Sequence, residues 1–181
     1  MTRSNAREVA VHLIYEIDYT GEDPAQAIET RMDRSYYSGL SAENDVYAER
    51  PSKKQMDYIR TCVTGVCEHA EELDALIAQY AVRWNLHRIS RLTKAAMRLA
   101  IYEMRYVEDV PNGVAINECV ELTRKYEDAQ VVSFVNGILG SVARGAKQNT
   151  EAPADPQPEE AQPEETPPKE TQPAPEEAQQ P

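Results

Sequence analysis

The stretch from Ser133 to Val142, SFVNGILGSV, decides how this chain is read. Val135, Ile138, Leu139 and Val142 recur at helical spacing, yet Asn136-Gly137 stands among them. Asn-Gly is one of the strongest short turn signals. A hairpin would need alternating strands on both sides. Instead Val132, Val135, Leu139 and Val142 carry the helical spacing straight through the pair. The stretch therefore reads as one helix with a glycine inside it. Such a glycine costs roughly 1 kcal/mol relative to alanine, and close approach of a neighbouring helix to its bare Cα would offset that. On this reading Gly137 is a packing contact, the Asn136 amide turns toward neighbouring backbone, and Gly137→Leu overpacks the fold.

Working outward, helical periodicity recurs and no segment alternates like a strand. A first helix is expected over about Ala6 to Tyr19, with Asn5 as N-cap and Glu8 in the capping-box position. Val9, Ala10, Leu13 and Ile17 form its apolar face and Gly21 ends it. Asp23-Pro24 starts a second helix that runs to about Met32. Residues 35–51 show no period and read as a long loop. Ser52 with Gln55 caps a third helix, with Met56, Ile59, Val63 and Val66 as its stripe. A fourth starts near Ala70 and turns Leu73, Leu76, Ile77 and Tyr80 inward. VRWNLHRIS, 82–90, reads as a joint near Trp84. The fifth helix, about Ser90 to Val107, is apolar around most of its circumference and so is expected to be central. Val110-Pro111-Asn112-Gly113 breaks it. A sixth follows with Ala115, Cys119, Leu122 and Tyr126 buried, and the seventh holds the opening stretch and ends near Gly145. The fold class is thus all-α: about seven helices, with residues 1–148 as the folded body.

Residues 149–181 have a different composition. From Glu151 onward there are nine of the chain's twelve prolines and no Val, Ile, Leu, Met, Phe, Tyr or Trp. Such a segment cannot offset the entropy of ordering and reads as a disordered acidic tail. It serves either as a solubilising extension or as an acidic arm competing near a nucleic-acid site. Nine acidic residues against one lysine give it −8 of the formal −12, leaving −4 for the body, so the global acidity says little about the body's partners. Local cationic patches remain able to bind phosphates.

The first residues, MTRSNAREVAVHLIYEID, contain no uninterrupted apolar core, so neither an export signal nor a membrane span is expected. Three cysteines fit a reducing, cytoplasmic setting better than a disulfide framework. Cys62 and Cys67 lie five residues apart on one predicted helix, about 140° around its axis, and cannot face one ion. No metal or other cofactor is implied. His12 and His87 lack a nucleophile or carboxylate pattern, and Glu103, Glu118 and Glu121 read as solvated faces or interhelical hydrogen-bonding groups. No phosphate-binding glycine loop or nucleophile elbow occurs, so enzymatic activity is not expected. Most basic residues, Lys53-Lys54 and Arg124-Lys125 included, read as solvated helix faces. Arg3 and Arg7 differ, because they sit on the first turns of a helix where backbone donors also favour anions.

Four segments resemble the bacterial transcription antitermination factor NusB family: AREVAVHLIYEID near the start, RLAIYEM at 98–104, VPNGVAINECVEL at 110–122 and KYEDAQVVSFVNGIL at 125–139. Their order and spacing match over about residues 5–144. The resemblance implies seven helices in two packed subdomains, roughly 1–82 and 83–148. It also implies a non-catalytic adaptor that binds single-stranded boxA-type leader RNA of ribosomal RNA operons jointly with the small-subunit ribosomal protein NusE. That complex joins the RNA polymerase elongation complex and suppresses premature termination. Carried over by position, the RNA face comprises Arg3, Ser4, Asn5 and Arg7, then Tyr15, then Gln130, Ser133 and Phe134. Arg7 is the foremost phosphate ligand, followed by Arg3, while Phe134 is divided between base stacking and core packing. Thr93 falls on the face implied to bind the ribosomal protein. Monomer and homodimer are both compatible with these helices.

The chain also departs from that family. TRSN stands where many relatives carry an arginine run, Ser133 where lysine is frequent, and Thr93 where an acidic residue is usual. Residues 33–51 exceed the length in compact relatives. Fewer cations predict weaker, less salt-sensitive RNA binding. The alternative is therefore a protein-interaction module of the same fold with weak or no RNA binding. A methyltransferase accessory domain is a third reading, opposed by the absence of a catalytic domain in this chain.

Overall fold

The computed structural model describes residues 1–81 and 89–148, with backbone alone for 146–148. The expected joint at Trp84, with its 82/83 subdomain boundary, and the tail from 149 lie outside the described residues, as does His87. The described residues form eight α-helices and one 3-10 turn and contain no strand. The helices are α1 (Arg3–Thr20), α2 (Pro24–Met32), α3 (Arg34–Leu40), α4 (Lys53–Glu68), α5 (Ala70–Tyr80), α6 (Arg91–Tyr106), α7 (Asn112–Arg124) and α8 (Ala129–Gln148), with the 3-10 turn at Asp45–Tyr47.

Local signals account for most boundaries. Gly21 adopts φ +71°, a left-handed conformation that glycine enters without a Cβ penalty, and its N–H donates to the Ile17 carbonyl to close α1. Asp23 caps α2, with Pro24 at its first position. Ser52 and Gln55 form a reciprocal capping box on α4. At α1 the sequence expectation needs correcting. Thr2, not Asn5, is the N-cap, and its hydroxyl accepts from the Asn5 N–H at 3.0 Å. Glu8 is buried in an interhelical contact and takes no part in capping.

The expected loop at 35–51 contains α3 and the 3-10 turn. The Asp33 carboxylate accepts from the N–H groups of Ser35 (2.9 Å) and Tyr36 (3.1 Å) and so starts α3. Seven residues are too few to display a period, and α3 buries only Tyr37. The Tyr37 hydroxyl donates to the Glu49 carbonyl at 3.0 Å, and its ring meets Tyr47 edge-on at 5.3 Å. Tyr37, Val46 and Tyr47 thus anchor a segment without an apolar stripe.

α1 packs against both α4 and α6, α7 against α6 and α8, and α5 against α6 and α8. The core runs continuously through Leu13 and Ile14 of α1, Ile59 and Val63 of α4, Met97 and Ile101 of α6, and Leu139 of α8. α6 is central as expected, with every residue from Ala95 to Glu103 buried. Its Arg98 is held by Asp18 of α1 and Asp74 of α5, each at 2.7 Å, as a buried cation requires. On α7 the burial of Ala115, Cys119 and Leu122 follows the expected stripe. Tyr126 does not: it lies beyond the helix end and is 42% exposed. Asn112-Gly113 forms the first turn of α7 rather than a break after α6, which ends at Tyr106.

α8 is one continuous helix through Asn136-Gly137, with Val132, Val135, Leu139 and Val142 buried. The packing role expected for Gly137 is overturned. Gly137 is exposed, and a Cβ added there meets nothing within 4 Å. Asn136 is also exposed. Close glycine contacts occur on α4, where a Cβ on Gly65 would fall on the Tyr102 ring of α6, and near the end of α8, where a Cβ on Gly145 would fall on the Tyr80 hydroxyl of α5.

Candidate nucleic-acid interface

The first turn of α1 points its side chains in several directions. Arg3 is exposed, and its guanidinium lies 5.4 Å from the centre of the Tyr58 ring on α4. Ser4 and Arg7 line a cleft between α1, α6 and α7, whose rim carries Lys125. Asn5 faces an adjoining pocket with Asn44, Lys125 and Tyr126. Tyr15 is exposed two turns beyond Arg7, about 12 Å along the helix.

Arg7 is not presented to solvent. Its side chain is 7% exposed and that of Glu103 1%. The Arg7 Nε donates to both carboxylate oxygens of Glu103, at 3.0 and 3.1 Å, and Nη1 reaches Glu118 at 3.4 Å. Burial opposes the guanidinium charge, but Glu103 more than compensates and raises the Arg7 pKa. The Tyr58 hydroxyl donates to the same carboxylate at 3.0 Å, and burial pushes its own pKa up. Arg7, Glu103 and Tyr58 therefore lock α1, α6 and α4 together. Glu103 and Glu118 converge on one cation, while Glu121 pairs with Arg124 on the surface at 2.5 Å.

At the next residue, Glu8 accepts from Tyr126 at 2.9 Å and from Lys125 at 2.5 Å. Burial and this carboxylate push the Tyr126 phenol up to about 12. His12 lies 2.8 Å from the Tyr47 hydroxyl and 3.3 Å from that of Tyr126. Burial lowers its pKa, opposed by Glu8 and reinforced by Arg31 and Lys125. Sequence reading found no partner for His12, because Tyr47 and Tyr126 stand on segments far from it in the chain.

At the start of α8 the Asp128 carboxylate accepts from the Gln130 N–H at 2.9 Å and the Val131 N–H at 3.0 Å. Gln130 and Ser133 are exposed, and Ser133 shares a shallow groove with Arg124 and Asn136. Phe134 is half-buried, with part of its ring packed against the core. α7 stands between this groove and the α1 cleft, and Glu121 lines both. Ser4, Asn5 and Arg7 thus stand near Lys125 on one flank of α7 and Ser133 near Arg124 on the other, while Arg3 turns toward α4 and Tyr15 lies apart. Reading the basic residues one at a time missed that arrangement.

Thr93 is 2% exposed. Its hydroxyl donates to Glu127 at 2.7 Å and accepts from Ser90 at 3.1 Å, so it presents little surface of its own. Cys62 and Cys119 are buried, with thiols pushed up to about 12 chiefly by burial, and Cys67 is half-buried.

Residues 4–144 match the family model described as the NusB family. The chain belongs to the NusB family. The transcription antitermination protein NusB of Symbiobacterium thermophilum is 40% identical over 147 residues, covering 81% of this chain and 92% of that protein. NusB of Clostridium perfringens is 36% identical over 149 residues, covering 81% of this chain and 100% of that protein. Among solved structures, T. maritima NusB aligns with a TM-score of 0.64 at 28% identity, over 80% of this chain and 92% of that one. A chain from the crystal structure of antitermination factors NusB and NusE in complex with dsRNA aligns with a TM-score of 0.61 at 24% identity, over 79% and 96%. That last likeness concerns the fold alone. These matches place the chain among NusB-type antitermination factors, which are not a known enzyme family. Among the described residues, no helix is long and apolar enough to cross a membrane.

Proposed function

We propose that this chain is a non-catalytic transcription antitermination adaptor in the cytoplasm. It binds single-stranded boxA-type leader RNA together with NusE, joins the RNA polymerase elongation complex and suppresses premature termination. The family match across residues 4–144 carries this reading. The exposed Arg3, with no ion pair among the described residues, supplies the chemistry a phosphate needs. In this proposal Arg3, Ser4 and Asn5 meet one end of the RNA element and Gln130 and Ser133 the other, with Tyr15 and Phe134 at its margins. Arg7 acts as a positioning residue that holds the first turn of α1 through Glu103. NusE meets the α6 start near Thr93, where Glu127 supplies the acidic group the threonine itself lacks.

One observation favours the alternative of an interaction module with weak RNA binding. Arg7, Arg124 and Lys125 are each already engaged by a carboxylate. Titration of a boxA-type RNA with and without NusE, at about 50 and 200 mM salt, separates the two. The adaptor predicts submicromolar, salt-sensitive binding in the presence of NusE that Arg3→Ala weakens. Undetectable binding even with NusE present would sink it.

A further inference from the structure

In the sequence Lys53-Lys54 is a pair of surface lysines some fifty residues from Arg3. Packing of α1 on α4 brings Lys54 and Arg3 into the walls of one groove of about 430 Å³, lined also by Gln55, Tyr58, Thr61 and Asp109. The groove is built rather than incidental. The Tyr58 hydroxyl is tied to Glu103, which fixes the ring beneath the Arg3 guanidinium. Gln55 is held by the Ser52 N–H at 2.8 Å and by the Met1 carbonyl.

Arg31, Lys94, Arg98, Arg105, Arg124 and Lys125 are all in ion pairs. Arg3, Lys53, Lys54 and Arg60 are exposed, and among the described residues none of them is. Arg34, Arg50, Arg91 and Arg144 are also exposed without an ion pair among the described residues, but here Arg3 and Lys54 line one groove together. The nearby acids are Asp109 in the groove wall, Asp57 on α4, Glu68, which lines a pocket with Arg60, and Glu49, which is occupied by the N-terminal ammonium at 2.5 Å. Two of these cations, Arg3 and Lys54, line the groove, and Lys53 and Arg60 lie on the same helix α4 outside its lining, in a body of net negative charge.

Resting on the RNA-binding reading above, we infer that this groove is a second contact for the same RNA. It takes the backbone phosphates of single-stranded nucleotides flanking the boxA-type element. Arg3 belongs to both surfaces: Ser4 and Asn5 lie on one side of it, the α4 groove on the other. A strand passing the α1 N-terminus therefore continues over Arg3 onto Lys54, Lys53 and Arg60. Lys53 and Arg60 are about 10 Å apart along α4, room for roughly two phosphates. The outer face of the Arg3 guanidinium, whose inner face rests on Tyr58, is a plane on which an unstacked base can lie.

The test compares a minimal boxA-type RNA with the same RNA extended by four uridines at either end, on the full-length chain with NusE present. The variant is Lys53→Gln/Lys54→Gln, and thermal melting verifies its fold. In the wild type one extended RNA binds more tightly than the minimal one. Two added phosphate contacts at about −0.7 each make that advantage shrink about sevenfold between 50 and 200 mM salt. In the variant the advantage disappears while affinity for the minimal RNA holds. If extension adds nothing in the wild type, or the variant weakens both RNAs equally, the inference is overturned and the adaptor reading stands. If the variant loses NusE but not RNA, the patch is a protein surface and the inference is likewise wrong. If the minimal RNA fails to bind wild type at all, both readings fall.

Discussion

Arg7→Ala separates a structural arginine from an RNA ligand. Arg7 and Glu103 form a buried pair in which Nε reaches both carboxylate oxygens, at 3.0 and 3.1 Å. Removing Arg7 leaves Glu103 with the Tyr58 hydroxyl as its one hydrogen-bond partner among the described residues, inside the contact of α1, α4 and α6. Breaking a buried pair from one side costs about 3–5 kcal/mol. At about 2–4 °C per kcal/mol for a chain of this size, the melting temperature should fall by roughly 6–20 °C. The double variant Arg7→Met/Glu103→Gln removes both charges and keeps an acceptor for Tyr58. It should recover part of that loss, with a coupling of about 1 kcal/mol or more in a double-mutant cycle. Calorimetry or denaturant melts supply the numbers, and RNA titration well below the midpoint supplies the contrast. An Arg7→Ala protein that melts like wild type, yet loses about 0.7 from its salt slope with single-stranded RNA, would refute the structural assignment. Arg7 would then be a phosphate ligand, as its position on the first turns of α1 suggests from sequence alone.

Glycine substitutions should diverge. Gly65→Ala drives a Cβ into Tyr102 and should cost about 1–3 kcal/mol, whereas Gly137→Ala, in open space on α8, should stabilise by up to about 1 kcal/mol; denaturant midpoints read both. His12 has a folded pKa lowered by burial, so below its ordinary value near 6.5 the unfolded chain binds the proton more readily. Stability should therefore fall as pH drops from about 7 to 5, less steeply in His12→Gln, and identical slopes would exclude His12 as the cause. Ending the chain after Thr150 removes only acidic, proline-rich sequence without large apolar residues, and should leave the melting temperature of the body nearly unchanged.

Signals that act within about one helical turn were readable in the sequence. The Ser52–Gln55 capping box, Asp23-Pro24 and Gly21 each act on backbone a few residues away, so their residue types suffice to place the ends of α4, α2 and α1. The apolar stripes of α1, α6 and α8 were equally plain, because burial on one face imposes its period whatever the partner. α3 was not, since one buried tyrosine makes no period.

The candidate site divided along the same line. The motifs of the NusB family nominated candidate residues, but not which of them remain available. Arg7 and Arg3 stand four residues apart, both basic and both on the first turns of α1. Arg7 faces α6 and meets Glu103, 96 residues away, while Arg3 faces α4 and meets only the Tyr58 ring among the described residues. Likewise Gly137 lies on the outer face of its helix and Gly65 on an inner one. Sequence alone determined that there are helices, where most begin and end, and which family they compose, because those properties rest on local backbone chemistry and recurring pattern. Only the tertiary structure decided which charges are consumed in holding helices together and which are left for a ligand, because that depends on which helix faces pack against each other across long stretches of chain.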